Sequence, residues 1–274
     1  PVPSPPPMRC LCVARHGLSG GEMTALLREG HTTVPPLLVS RVVFLVGDAL
    51  SAMRGRMHLV SRCMREACER AYLHTKEMEY STRMQLVSFF SDINARHTAE
   101  RVAGELPYQA AKVECWGLLL GCVSSLVIFR ELWARPEGVA DLSRYWSREL
   151  LGSRYDEAAT MIEALNQASM AHVKEPPRAA RDGMGGDWFG QVAMGGVEEV
   201  DTWSAVARFL HMMRRLNEAE ECYQTAMGLA EGTFGGGHAK TVCAVRERAS
   251  VLHDMGRFQE GIAMVNKALD LCTK

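Results

Sequence analysis

Four groups of residues in this 274-residue sequence have types and spacings that could do chemistry. The run Ala14-Arg15-His16-Gly17 sets an imidazole beside a guanidinium, a pair able to accept and clamp a phosphoryl group. Asp92, His97 and Glu100 fall at steps that bring them together on a helix, as metal ligands would. Glycines cluster near Gly183 and Gly235, where backbone amides could cradle a phosphate. Cysteines are close in sequence at Cys10 and Cys12, Cys63 and Cys68, and Cys115 and Cys122.

Each group lacks a second requirement. The cysteine count is nine and the spacings match neither a zinc knuckle nor a redox CxxC, so reduced, buried thiols in an intracellular or organellar compartment are expected. The acid-histidine trio has no further marked ligand, and a solvated helix face is the expectation. The glycine clusters lack a preceding strand and a following Lys-Ser/Thr, which makes them turns. The sequence therefore predicts no metal and no cofactor.

The elements that would position these residues are helical. Leu38, Val42, Leu45 and Val46 recur at three- and four-residue steps, predicting helix from Leu37 to about Tyr80 with a break at Gly55. A second helix is expected from Thr82 to Gly104, carrying Met84, Leu86, Val87, Phe90 and Ile93, with Pro107 closing the connection after it. A third, apolar helix runs from Gln109 to Trp133 and is stopped by Pro136. Its uncharged centre, Cys115 to Phe129, is 15 residues long. A bilayer span needs roughly 20. A buried core helix is expected there, with membrane contact through 115–129 as the alternative. No segment alternates with period two between turn residues, so the fold class is all-α. The opening PVPSPPP reads as a polyproline-like arm. KEPPRAARDGMGGDWFGQVAMGG, within Lys174 to Val200, reads as a loop with Trp188 and Phe189 as its anchors. The expected organisation is a Pro-rich arm and irregular segment over 1–36, a helical region over 37–135, a degenerate hairpin over 136–173, a loop over 174–200 and two hairpins over 201–274.

Self-comparison gives the strongest signal. RFLHMMRRLNEAEECYQTAMGL from Arg208 aligns without gaps on SVLHDMGRFQEGIAMVNKALDL from Ser250, an offset of 42 residues. Leu210 falls on Leu252, His211 on His253, Arg215 on Arg257, Glu218 on Glu260 and Ala226 on Ala268. Trp203, Val206, Ala207 and Leu210, followed by Ala219, Tyr223 and Ala226, resemble the tetratricopeptide pattern W-x2-L-G-x2-Y then A-x3-F. Small residues there allow helices to approach closely, and large ones fill the gaps. The second copy is looser: Val245, Arg248, Ala249 and Leu252, then Gly261, Val265 and Ala268. The connection EGTFGGGHAKTV, Glu231 to Val242, is similar to the inter-repeat loop of kinesin light chain tetratricopeptides, with Ala239 in place of their proline. The resemblance covers about 201–274 and implies a solenoid of helical hairpins that binds protein through a concave face. Ser153 to Ala158 resembles Gly256 to Gly261 and marks the degenerate third copy, with Ser153 and Asp156 forming a capping box.

Arg15-His16-Gly17 resembles the signature of histidine phosphatases. That family needs a strand before the motif, an α/β sheet, and a second histidine and arginine placed by it. The all-α remainder offers no such frame, and a non-enzyme is expected. The candidate binding surface is instead the leading-helix face of the repeats, with Ser204, Arg208, His211 and Met212 in the first copy and Arg246, Ser250 and His253 in the second. These residues are expected to align into one mildly basic groove suited to an acidic peptide or a C-terminal carboxylate. The function expected is a protein-protein interaction scaffold or accessory subunit of a larger complex, with other protein subunits as partners. An organellar RNA-binding helical-repeat protein is the alternative. A net charge of −1 lacks the positive field that sequence-independent nucleic-acid binding needs, so no nucleic acid is expected. The start at Pro1, read as the trace of a removed presequence, and the apolar helix point to the mitochondrion, with the cytoplasm as the alternative.

Overall fold

The fold is that of a computed structural model, which describes residues 6–29, 47, 50–53, 55–92, 97–174 and 194–272. Thirteen helices and one two-stranded hairpin make up the described residues, an all-α architecture ending in stacked helical hairpins. The chain divides into two compact units, with the boundary between Cys122 and Val123.

The first unit is built around its first helix. α1 (Pro6–Val13) and α2 (Gly20–Glu29) lie where an irregular arm was expected. Pro6 and Pro7 sit in the first turn of α1, where a missing N–H costs nothing because those donors have no partner in a helix. Cys10, Leu11, Cys12 and Val13 are all buried. A helix that is apolar except at half-buried Arg9 belongs in a core. α1 packs against α3 (Arg62–Tyr72) and α4 (Lys76–Ser91), and α4 packs against α5 (Ala99–Lys112). Ser61, Thr75 and Thr98 begin these three helices, each side-chain oxygen accepting from a backbone N–H three residues on.

Between α2 and α3 lies the one sheet among the described residues. β1 (Leu50–Met53) and β2 (Arg56–Leu59) pair antiparallel, Leu50 opposite Leu59 and Met53 opposite Arg56. Gly55, read from sequence as a helix break, is the tight turn, with φ 75°. Strands of four residues are too short for alternation to register against a helical background. Leu38, Val42, Leu45 and Val46 lie outside the described residues. Pro107 is also placed differently from expectation. It sits inside α5, whose Val102, Leu106 and Ala110 are buried, so tertiary burial outweighs the lost backbone bond.

The expected long apolar helix is three pieces. α5 ends at Lys112, α6 spans Trp116–Ser124, and α7 spans Leu126–Trp133. The breaks are at Glu114, which takes φ 56°, and at Ser125, whose hydroxyl caps α7. Among the described residues no single helix is long and apolar enough to cross a membrane. Ile128, Phe129 and Leu132 are buried in protein. Pro136 starts α8 (Pro136–Tyr145) rather than stopping its predecessor, since proline suits the first helical turn.

The second unit continues with α9 (Glu157–Lys174), α10 (Val197–Met212), α11 (Leu216–Phe234), α12 (Ala239–Asp254) and α13 (Phe258–Cys272). Asp156 alone caps α9, accepting from the Ala159 N–H at 2.9 Å, so the expected partnership with Ser153 is not used. α10 begins inside the segment expected to be loop, while Trp188 and Phe189 lie outside the described residues. α10 pairs with α11, α11 with α12, and α12 with α13. Phe209 of α10 meets Phe129 and Trp133 of α7 edge-on, at 5.7 and 6.2 Å. Such contacts contribute about 0.5–1.5 kcal/mol each beyond burial.

The two C-terminal hairpins turn in the same way. The Arg215 N–H donates to the Leu210 carbonyl at 2.9 Å, and Arg257 to Leu252 at 2.9 Å. Between them the chain takes the left-handed conformation, at Arg214 (φ 65°) in the first hairpin and Gly256 (φ 77°) in the second. The left-handed region costs a residue with a Cβ about 1–2 kcal/mol. Arg214→Gly should therefore raise stability toward urea by up to about 1 kcal/mol, less a small loss from its exposed pair with Asp254, and Gly256→Ala should lower it by about 1 kcal/mol. Unfolding curves followed by circular dichroism check both, and a reversed order of the two variants would contradict this account of the turn.

Candidate functional site

The phosphate-handling motif sits in the first unit, and the chain reaches it from α1, a helix and not the strand that the phosphatase resemblance requires. What holds it is a buried carboxylate. Glu105 of α5 accepts from the Arg15 N–H at 3.2 Å and the His16 N–H at 2.7 Å. It also accepts from the Arg101 guanidinium at 3.0 Å and from the Gln109 amide at 3.2 Å. Arg101 reaches further, to Glu22 at 2.6 Å and the Gly17 carbonyl at 2.6 Å, and its guanidinium lies 4.8 Å from the Phe90 ring centroid. Burial opposes the charge on Arg101, but Glu105 and Glu22 outweigh it and raise its pKa.

Gly17 takes φ 66°, and a Cβ there would lie 2.3 Å from the Met57 carbonyl oxygen. That close approach lets Leu18 and Met57 exchange backbone hydrogen bonds at 3.1 and 2.8 Å, tying the motif to β2. His58 also lies beside the motif, a neighbour that sequence reasoning missed because a short unrecognised strand delivers it. The cations here are engaged: Arg56 pairs with Glu100 at 3.3 Å, and Arg65 donates to the Cys12 carbonyl at 3.3 Å. Arg-His-Gly is, in this fold, the turn that a buried ion-pair lattice clamps to α5.

The other candidates separate. His97 is buried against Phe89 and Phe90, and its Nε2 lies 2.9 Å from the Phe89 carbonyl oxygen. Glu100 turns to Arg56, so Asp92, His97 and Glu100 do not form a cluster, and no group of three potential ligands exists among the described residues. No disulfide joins any of the nine cysteines. Burial pushes the Cys12 and Cys222 thiols up to about 12, and Cys122 higher still, so they stay protonated. Gly235, with φ 82°, ends α11 as a turn; Gly183 lies outside the described residues.

The repeat surface is where most of the remaining polar residues converge. Trp203, Ala207, Leu210, Ala219, Tyr223 and Ala226 are all buried, as the repeat pattern requires. The residues read as a continuous groove fall at two levels of the stack. Ser204 is buried, Arg208 meets Glu247 of α12 at 3.5 Å, and His211 meets Asp254 at 3.0 Å. Those three lie at the junction of the hairpins, while Met212 is exposed beside them. Arg246, Ser250 and His253 instead line an open groove on the second hairpin, together with Phe258, Ile262 and Val265 of α13. Val265 was assigned to the core by its equivalence to Tyr223, yet it is 46% exposed, because no described helix follows to cover it.

The junction between the hairpins is stitched at both ends. Arg248 binds Glu220 at 2.6 Å, Lys240 binds Asp201 at 2.6 Å, and Lys267 binds Glu231 at 2.6 Å. In the connecting segment Phe234 stacks on His238 with centroids 4.6 Å apart, and the Thr241 hydroxyl donates to the Gly235 carbonyl at 2.8 Å. These contacts give physical roles to the phenylalanine and histidine of the loop.

Residues 198–274 match the family model for the tetratricopeptide repeat. The matched segment is similar to tetratricopeptide repeats and covers less than a third of the chain. No curated protein and no solved structure matches the chain. Tetratricopeptide repeats generally mediate protein-protein interaction and are generally non-catalytic.

Two outcomes test the N-terminal lattice. Glu105→Ala leaves buried Arg101 with one carboxylate in place of two and strips the Arg15 and His16 N–H groups of their acceptor, and should cost about 3–5 kcal/mol in a denaturant titration; a loss below about 1 kcal/mol would contradict the lattice. Burial pushes the His16 imidazole below its ordinary value despite the pull of Glu105, and burial with Arg56 does the same to His58. A histidine depressed in the folded state contributes stability that is complete above about pH 6.5 and is lost as pH falls below it toward the folded value. The urea midpoint should therefore fall between about pH 7.5 and 5.5, and fall less in His16→Asn. Equal slopes for the two proteins would remove His16 from the account.

Proposed function

We propose that this protein is a non-catalytic interaction scaffold, an accessory subunit that docks other proteins of a larger assembly through its C-terminal hairpins. The observation that carries the reading is the tandem hairpin itself, in which the repeat pattern, the duplicated turn and the family match fall on the same residues. The hairpins are of the kinesin light chain type in this reading, supported by the Phe234 and His238 stack between them. The helices over 136–173 act as a degenerate preceding unit. Support for that comes from α9, where Ser169 binds Glu199 at 2.6 Å and receives the Trp203 indole N–H at 3.4 Å. Arg215 adds to it by joining Asp156 at 3.0 Å and Glu157 at 3.2 Å to Glu218, so that one guanidinium ties the start of α9 to the start of α11.

Native purification of the full chain followed by mass spectrometry tests the proposal. A protein partner present at fixed stoichiometry and retained after nuclease treatment is the expected result. A monomer without a partner, or a complex that nuclease dissolves, would overturn it.

A further inference from the structure

Arg15 joins the lattice around Glu105 through its backbone N–H. Its guanidinium lies over the ring of Tyr108 on α5, with Cζ 5.3 Å from the ring centroid. Two more cations converge on the same ring. Lys112, one helical turn further along α5, brings its Nζ to 5.8 Å, and Arg83 of α4 brings its Cζ to 6.0 Å. Three separate elements thus deliver three positive charges to one side chain. A ring has two faces, so at least two of these cations share one. An aromatic face attracts a cation but does not screen it from another on the same side. A bound anion would remove that repulsion.

Structural roles account for part of the cluster. Arg83 pairs with Glu79 at 2.8 Å and donates to the Gln109 Oε1 at 2.9 Å. Lys112 is the last residue of α5, where a cation suits the helix dipole. Neither role explains why the chain brings Arg15 from a separate turn to the same ring. Glu105, which holds the Arg15 backbone, has both oxygens taken by the Arg15 and His16 N–H groups, Arg101 and Gln109. Lys112 makes no ion pair among the described residues, and its three N–H donors are left to solvent.

We propose that Arg15, Arg83 and Lys112 around Tyr108 form a binding site for a phosphate dianion, free or as the monoester group of a larger molecule. The site lies outside the repeats and stands independently of the docking reading above. Its dimensions and charge fix the ligand class. All three cations lie within 6.0 Å of one centroid, which makes a compact target rich in donors. A phosphate group offers three or more strong acceptor oxygens and close to two negative charges, so it can bridge two cations and still accept from the third. A carboxylate has one charge and two oxygens. Lys112 is exposed and Arg15 and Tyr108 are half-buried, so the cluster opens to solvent. The net charge of −1 does not argue against an anion here, because eight arginines and only three carboxylates precede residue 66.

Isothermal titration calorimetry of the full chain tests the site, in a phosphate-free buffer near pH 7.5 with ionic strength held constant by sodium chloride. The probes are inorganic phosphate and a pentapeptide with a central phosphoserine, with sodium acetate and the unphosphorylated peptide as controls. Saturable binding of a phosphate-bearing probe is expected, with both controls at least about tenfold weaker. Tighter binding of the phosphopeptide assigns the ligand to a phosphorylated protein, and tighter binding of inorganic phosphate assigns it to a small molecule; both support the site. Lys112→Gln, at an exposed position, should weaken the phosphate-bearing probe by about three- to tenfold, and Arg15→Gln by about tenfold. No saturable binding of either phosphate-bearing probe would overturn the proposal, as would acetate bound as tightly as phosphate. Phosphate binding unchanged in Lys112→Gln would place the anion elsewhere and overturn it too. That variant alone decides the matter if Arg15→Gln unfolds the chain.

Discussion

A helical hairpin of this kind has two apolar faces and can bury only one of them against the element before it; the other has to be covered by whatever comes next. That constraint organises the second unit. α10 leans on α7 through Phe209, Phe129 and Trp133, α11 closes the first hairpin, and α12 covers the face that α10 and α11 leave. Close stacking demands small residues where backbones approach, and Ala207, Ala219 and Ala226 meet that demand from the inside of the stack. Large residues fill the remaining space only where a following helix exists to bury them. Tyr223 is buried and its equivalent Val265 is not, so the difference lies in the neighbour and not in the residue.

The first unit solves a different problem. Its central helix α1 is short and apolar, and the turn that follows must be returned to α5 through polar backbone in a buried setting. Glu105 and Arg101 do this as a charged pair whose spare hydrogen-bonding capacity is taken by the backbone of residues 15 to 17. Such a pair is costly to break because either charge alone would be stranded. Within the phosphatase-like triplet, Gly17 is fixed by its left-handed backbone against Met57, and Arg15 and His16 are held through their backbone N–H groups.

Legibility followed the length scale of the physics. The repeat was readable because hairpin packing imposes the same residue sizes at a fixed interval, and the pattern survives in Trp203, Ala207, Leu210 and Tyr223. The ends of elements were much less readable. Pro107 was assigned to the end of a connection and Pro136 to a helix stop, yet one lies within a helix and the other opens one, since proline's penalty depends on which turn it occupies. The β-hairpin at 50–59 was too short to show a period, and with it went any chance of placing His58. The candidate binding residues were chosen by helical face, which is local information. Whether such a residue meets a carboxylate from a following helix, as Arg208 meets Glu247, is not local.

Among the described residues the hairpin of α12 and α13 is covered on one side only, and the account turns on that. Hydrogen exchange of the full chain, read by mass spectrometry helix by helix, tests it most directly, because backbone opening depends on the contacts that flank each element. Slow exchange in α10 and α11, with clearly faster exchange in α13 along Phe258 to Leu269, is the predicted result. Equal protection of α13 and α11 in the isolated protein would contradict the account, since it would mean that the open side is already covered.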